Sequence, residues 1–183
     1  MIHSAIALLK AITAAKVPYS TRATKIDAGL WIGPLPMMED VPDIVDMKPA
    51  LIIDCTNGGA SRFLDELRLL PAQRIAGLAT QQQRIACPMV EGVETQSAET
   101  EKAMRVAMEL GRDVLARHRT VLVHCRSGLY RSASLAYGIL RLRGLSMLEA
   151  TRVVAKRPAA IARYVENVER VVMRALPPQA WNP

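Results

Sequence analysis

"VLVHCRSGLYRS", residues 121–132, decides how the chain is read. Val121 to Val123 is a short apolar run with the composition of a buried strand about to end. His124, Cys125 and a loop containing Gly128 follow, then the pair Arg131–Ser132. From about 131 to 143 the pattern predicts a helix, which Gly144 stops. A strand that passes through such a loop into a helix can build an anion site. The first amides of the helix have no partner inside it, and the helix dipole adds partial positive charge. Gly128 permits a backbone turn that other residues resist. Arg131 supplies a planar fork that bonds two anion oxygens at once.

Cys125 then stands at the bottom of an electropositive cup, where the thiolate is favoured and is the nucleophile. Such a cup can hold a phosphate and stabilise charge on its equatorial oxygens while a bond to phosphorus changes. Thiolate attack would give a phosphocysteine that water must hydrolyse. Ser132 can donate toward the sulfur and ease its departure. His124 can orient the loop and help keep the thiol ionised. A lone buried cysteine would be inert core. The Gly three residues on, the Arg six residues on and the Ser after it argue against that here.

Outward from this segment, strands alternate with helices. "GLWIGPLP" reads as a short strand ended by Pro34 and Pro36. "ALIIDCTNGG" is a buried strand, apolar from Leu51 to Ile53 and stopped by Asn57-Gly58-Gly59. "SRFLDELRLL" reads as a short helix, and "RIACPMV" as a third strand. A long helix is predicted over roughly 98–118, with Ala103, Ala107, Leu110 and Val114 on one face. "SMLE" at 146–149 fits a capping box opening a further helix that Pro158 ends. A last helix carries Ile161, Val165, Val168, Val172 and Leu176 on one face. The expected fold is α/β, with a mostly parallel central sheet of about four to five strands flanked by helices. In such sheets ligands bind beyond the carboxyl ends of the strands, where Cys125 falls.

Composition narrows the classes. The chain has 183 residues, half of them hydrophobic and 22% charged, as expected of one globular domain. No apolar run is long enough to span a membrane. In "MIHSAIALLKAITAAKV", Ile2, Ile6, Leu9 and Ile12 recur at helical spacing. Two readings stand: an amphipathic helix lying on the body, which the spacing favours, and a signal or membrane-surface segment. The net charge of +7 suits anionic partners without choosing among them, and the arginines are dispersed. Cys55, Cys87 and Cys125 are odd in number and lack a CxxC pair. That argues against a disulfide scaffold or a zinc site and for a reducing, cytoplasmic setting.

"HCRSGLYRS" resembles the active-site motif of the cysteine-dependent protein tyrosine phosphatase superfamily: His-Cys, five residues, Arg, then Ser or Thr. The resemblance extends over roughly 26–172. "IDAGLWIG" is similar to the opening strand of the small dual-specificity phosphatases, and "SMLEATRVVAKRP" to their segment after the active-site helix. A rhodanese-type loop is typically shorter, and Arg131–Ser132 fits phosphatases better. The resemblance implies a phosphatase domain over 26–176; residues 1–25 lie outside it and are expected from their spacing to be an N-terminal helical extension, and the Pro-rich 177–183 a tail. The resemblance also implies Cys125 as nucleophile and a phosphate loop of Arg126, Ser127, Gly128, Leu129, Tyr130 and Arg131. No metal or cofactor is expected.

The leaving oxygen needs a proton, so a carboxylic acid should stand near the cup. In the family this is usually an Asp some thirty residues before the Cys. Here "CPMVEGVET" occupies that place and offers Glu91 first and Glu94 second. Asp54, at a strand end, is a third candidate. Cys55 has two readings, a small buried hydrophobe or a redox partner for Cys125, since some relatives place a Cys nearby. Cys87 reads as core. The substrate expected is a phosphorylated protein or a phospholipid. An RNA 5′-phosphatase is the alternative enzyme, weakened by only 4% aromatics. A non-catalytic phosphate-binding module is the alternative of another class, supported only by the missing Asp. The sequence is silent on oligomeric state.

Overall fold

The computed structural model describes residues 22–37, 40–56, 83–90, 96–157, 160 and 165–175. Strands β1 (Thr24–Asp27), β2 (Leu30–Gly33), β3 (Leu51–Asp54), β4 (Gln83–Ala86) and β5 (Val121–His124) form one sheet in the order β1-β2-β5-β3-β4. β2, β5, β3 and β4 run parallel, and β1 is an antiparallel edge. The mostly parallel α/β sheet expected from the sequence is what the chain forms. The two most apolar segments, β3 and β5, are buried at every position and occupy the centre, as strands covered on both faces must. They pair in register from Leu51↔Val121 to Asp54↔His124.

Alternation sends neighbouring residues of each strand to opposite faces. Ile52 and Leu122 meet Ile44 of helix α1 (Val41–Met47), with Trp31 packed alongside. Leu51, Ile53, Val121 and Val123 face the larger core under α2 (Ala98–Ala116) and α3 (Arg131–Leu142). Helices α4 (Met147–Val154) and α5 (Val165–Ala175) pack against α3. Ser146 and Glu149 form the predicted capping box of α4. Among the described residues, no helix is long and apolar enough to cross a membrane.

Some expectations shift. The sheet begins at Thr24, just before the anticipated domain start, and neither β1 nor α1 was predicted from the sequence. The buried face of α2 is Thr100, Met104, Ala107, Met108, Gly111 and Leu115, rather than the alanine-rich face; Ala103, Leu110 and Val114 are partly buried beside it. Methionine explains the rotation, because its flexible thioether fills irregular gaps. A Cβ at Gly138 would lie 2.0 Å from the Met108 sulfur, so the bare backbone of α3 is what admits that side chain. The helix expected at 61–70, the helical extension over 1–21 and the tail over 177–183 fall outside the described residues.

Candidate active site

The site begins one residue past β5. Cys125 is buried at the head of α3, and its amide continues the ladder by donating to the Gly33 carbonyl at 3.3 Å. The loop then turns through Gly128 at φ +71°, a left-handed conformation that L side chains resist. A Cβ there would come within 2.5 Å of the Gly33 carbonyl carbon and the Pro34 nitrogen. Both the backbone angle and the available space therefore require glycine. The turn aims the Gly128 amide at the Cys125 sulfur, at 3.2 Å, while the Ser132 hydroxyl lies 3.4 Å from it.

These contacts set the chemistry of the thiol. Burial pushes Cys125 up. The Ser132 hydroxyl and the amides of Ser132, Gly128 and Ser127 together outweigh burial and hold the thiol below its ordinary value. The site therefore shifts the thiol toward its thiolate under a ring of donors. Arg131, the first residue of α3, is buried and donates Nη1 to the Met89 carbonyl at 3.4 Å. Arg126 is exposed on the loop, Ser127, Leu129 and Tyr130 are partly exposed, and Gly128 is buried. The Leu35 amide donates to the Arg126 carbonyl, which seats the segment after β2 against the loop.

His124 corrects an expectation. It is fully buried, and burial holds it at about 4, with Asp54 opposing and Arg84 adding to that depression. Among the described residues neither ring nitrogen has a hydrogen-bond partner, and Nδ1 lies 3.9 Å from Asp54 Oδ1. A neutral imidazole lends Cys125 no positive charge. The ionisation comes from the loop amides and Ser132 instead.

The acid candidates separate. Asp54 Oδ1 accepts the Thr56 amide at 2.7 Å and so closes the end of its own strand. Alternation places Asp54 and His124 on the sheet face opposite Cys125. Glu91 and Glu94 fall outside the described residues, but both flanks of their segment are fixed. The Gln96 side chain accepts the Val90 amide and donates to the Val90 carbonyl, each at 2.9 Å. Thr100 Oγ1 donates to the Pro88 carbonyl. Gln96 was not singled out in the sequence. A polar residue before a helix N-cap was its only signal.

Arg157 was also missed. It is completely buried behind the loop. Its Nε donates to the Gly128 carbonyl at 2.9 Å, and its Nη1 to the Arg22 carbonyl and Thr24 Oγ1. The "RP" ending of the segment after the active-site helix was the available clue. Cys55 and Cys87 are fully buried in the same core cluster as Cys125. Among the described residues no group of His, Cys, Asp and Glu could hold a metal ion. A separate groove of ≈ 410 Å³ lies on the α1 face, lined by Trp31, Ile44 and Leu122, and does not include the cysteine loop.

No protein-family model matches the chain, and no curated protein does. Solved structures do. A mouse putative dual specificity phosphatase complexed with zinc tungstate is 16% identical with a TM-score of 0.64, covering 87% of this chain and 91% of that one. Human DUSP28 is 14% identical with a TM-score of 0.62, covering 87% and 98%. PTPMT1 in complex with PI(5)P is 20% identical with a TM-score of 0.58, covering 84% and 99%. At these identities the likeness is one of fold, and the chain has the dual-specificity-type fold of the cysteine-dependent phosphatases.

Proposed function

We propose that the protein is a phosphomonoester phosphatase working through a phosphocysteine intermediate. The observation that carries this reading is the Cys125 thiol, held below its ordinary value by the Ser132 hydroxyl and the loop amides at the head of α3. A binding module has no use for an activated nucleophile. In the first step the thiolate attacks phosphorus in line with the leaving oxygen. The loop amides and Arg131 hold the equatorial oxygens. A carboxylic acid protonates the leaving group. Glu91 is assigned that role, with Glu94 second. The clamp between Val90 and Gln96 and the tie from Arg131 to Met89 support an acid on this segment, because they fix its base next to the cup. In the second step the carboxylate takes a proton from water, water attacks phosphorus, and Ser132 donates to the departing sulfur.

The substrate is assigned to phosphorylated proteins or phospholipids. Met37 and Val90 are 55% and 41% exposed, on the two segments that touch the loop and Arg131. Apolar side chains there suit an ester with an aryl or lipid portion. PTPMT1 was solved with a phosphoinositide, PI(5)P, which is consistent with the lipid case. The test is hydrolysis of p-nitrophenyl phosphate by pure protein, with reductant and chelator, beside Cys125→Ser. Turnover should vanish in the variant. Equal turnover in both proteins would remove Cys125 from the mechanism. Phosphotyrosyl peptide and phosphoinositide vesicles, compared next, assign the substrate class.

A further inference from the structure

The two faces of the sheet are covered unequally. Helices α2 and α3 close one face over the larger core, with α4 and α5 packed against α3. Among the described residues the other face carries α1, seven residues long, over the small cluster of Ile44, Ile52 and Leu122. A parallel sheet is expected to be buried on both faces. Beside α1 runs the groove of ≈ 410 Å³. Its floor is apolar: Trp31 of β2 and Leu122 of β5, flanked by Ile44 and Met47 of α1 and by Pro34 and Pro36. No described residue of β3 or β4 lines it, so it lies over the β2–β5 side of the sheet. Trp31 and Met47 are only half-buried there. Three carboxylates, Asp40, Asp43 and Asp46, stand along it against one cation, Arg22, which lies 3.7 Å from Asp43.

We propose that residues 1–20 of this chain occupy that groove and lay Ile2, Ile6, Leu9 and Ile12 on its apolar floor. Connection, pattern and charge all support this occupant. Arg22 and Ala23 line the groove and directly follow the stretch. The Arg22 carbonyl accepts from the buried Arg157 at 2.6 Å, so the joining point is fixed at the edge of the groove. A segment tethered there acts at an effective concentration on the order of millimolar, an advantage that a free partner lacks. Its four aliphatic residues recur at the spacing by which a helix lays one face into a groove, and Ile2 to Ile12 would span about 15 Å as a helix. Pro18 ends that pattern and leaves residues 18–21 to turn the chain. Residues 1–21 contain Lys10 and Lys16 and no carboxylate, the complement of the three aspartates. The inference does not depend on the proposed activity, but it bears on the site. Pro34 and Pro36 wall the groove on either side of Leu35, whose amide donates to the Arg126 carbonyl. An occupied groove therefore buttresses the segment on which the cysteine loop is seated.

The experiment treats an equal mixture of unlabelled and heavy-isotope-labelled full chain with a carbodiimide, which joins an amine to a carboxylate in direct contact. Peptide mapping by mass spectrometry should find Lys10 or Lys16 joined to Asp40, Asp43 or Asp46 within a single isotopic species. Leu9→Asp takes one aliphatic side chain off the floor, lowers the docked-to-free ratio by about tenfold or more, and should abolish those links. In a Trp181→Phe background, which leaves Trp31 as the one tryptophan, Leu9→Asp should also make its fluorescence more readily quenched by acrylamide. Links that join a labelled to an unlabelled chain would assign the groove to a second copy and overturn the proposal. Absence of the links from the wild type, while other lysines of the same sample are joined to carboxylates, would overturn it as well, and that mapping needs no variant to fold. A Trp31 shielded only after phosphatidylglycerol vesicles are added would assign residues 1–20 to a lipid surface instead. None of these readouts depends on turnover, so failure here leaves the phosphatase reading standing.

Discussion

Replacing Gly128 by Ala tests how the cup makes its nucleophile. The native residue sits at φ +71°, where a Cβ would lie 2.5 Å from the Gly33 and Pro34 backbone. Left-handed alanine alone costs about 1–2 kcal/mol. The contact is with main chain at the end of β2, so the loop must shift rather than the neighbour. The group that moves is the amide donating to the Cys125 sulfur at 3.2 Å. A hydrogen bond to a charged partner contributes about 1.5–3 kcal/mol, a factor of roughly 10 to 150 in the thiolate population where the thiol is mostly protonated. The assay is the pH profile of Cys125 alkylation by iodoacetamide, followed by mass. In Gly128→Ala the acid limb should move to higher pH and alkylation along it should slow by about tenfold or more. Turnover of p-nitrophenyl phosphate should fall at least as far. The melting temperature should drop by only about 5 °C, so the protein remains folded in the assay. A variant whose profile superimposes on the wild type would show that the Gly128 amide does not set the ionisation of Cys125.

Four further outcomes follow from the same geometry. In Ser132→Ala the breakdown of the phosphocysteine should slow by about 10- to 100-fold, more than its formation, and stopped flow should show a nitrophenol burst absent from the wild type. Arg157→Met leaves the Gly128 and Arg22 carbonyls and Thr24 Oγ1 without this donor; calorimetry should give a melting temperature lower by about 6–12 °C, for a loss of about 3 kcal/mol, and an unchanged value would refute the strut. Glu91→Gln should slow an alkyl phosphate by about 100-fold and p-nitrophenyl phosphate much less, because the latter leaves without a proton; Asp54→Asn should show no such selectivity. His124 sits at about 4 when folded and near its ordinary value of 6.5 when unfolded. Between those pH values the unfolded chain binds a proton that the native one does not, so stability falls as pH falls through this window, by about 3 kcal/mol. Urea titrations against pH should show that slope in the wild type and lose it in His124→Gln.

How much was legible in the sequence follows from where each signal lies. The central strands and the helix α3 could be read because their patterns are local: apolar runs at 51–53 and 121–123, and a glycine stop at 144. The cup could be read because Cys125, Gly128, Arg131 and Ser132 lie within eight consecutive residues. β1 was hidden because "TKID" carries one buried side chain and is held by pairing with β2. Arg157 and Gln96 were hidden for another reason. Their partners, Gly128 and Val90, are backbone groups 29 and 6 residues away, and a carbonyl leaves no mark in a sequence. His124 was misread because its neutrality comes from burial by distant segments, not from any neighbour in the motif.

The same geometry indicates where specificity must reside. The loop is fixed from three directions: Gly33 and Pro34 press against Gly128, Arg157 holds its carbonyl from behind, and the Cys125 amide is tied into the sheet. A loop held in this way presents one arrangement of donors, and on the proposed function those donors see only the phosphate, which every monoester shares. Discrimination between esters therefore falls to groups outside the cup. Arg126 is exposed on the loop, Met37 lies beyond the Leu35 tie to the loop, and Val90 follows the Met89 tie to Arg131. On the proposed function, an exposed charge and two exposed apolar side chains on these segments suit an ester whose leaving group carries both an apolar portion and an anion. Substitutions at these three positions should accordingly change the ranking of substrates while leaving the ionisation of Cys125 as it is.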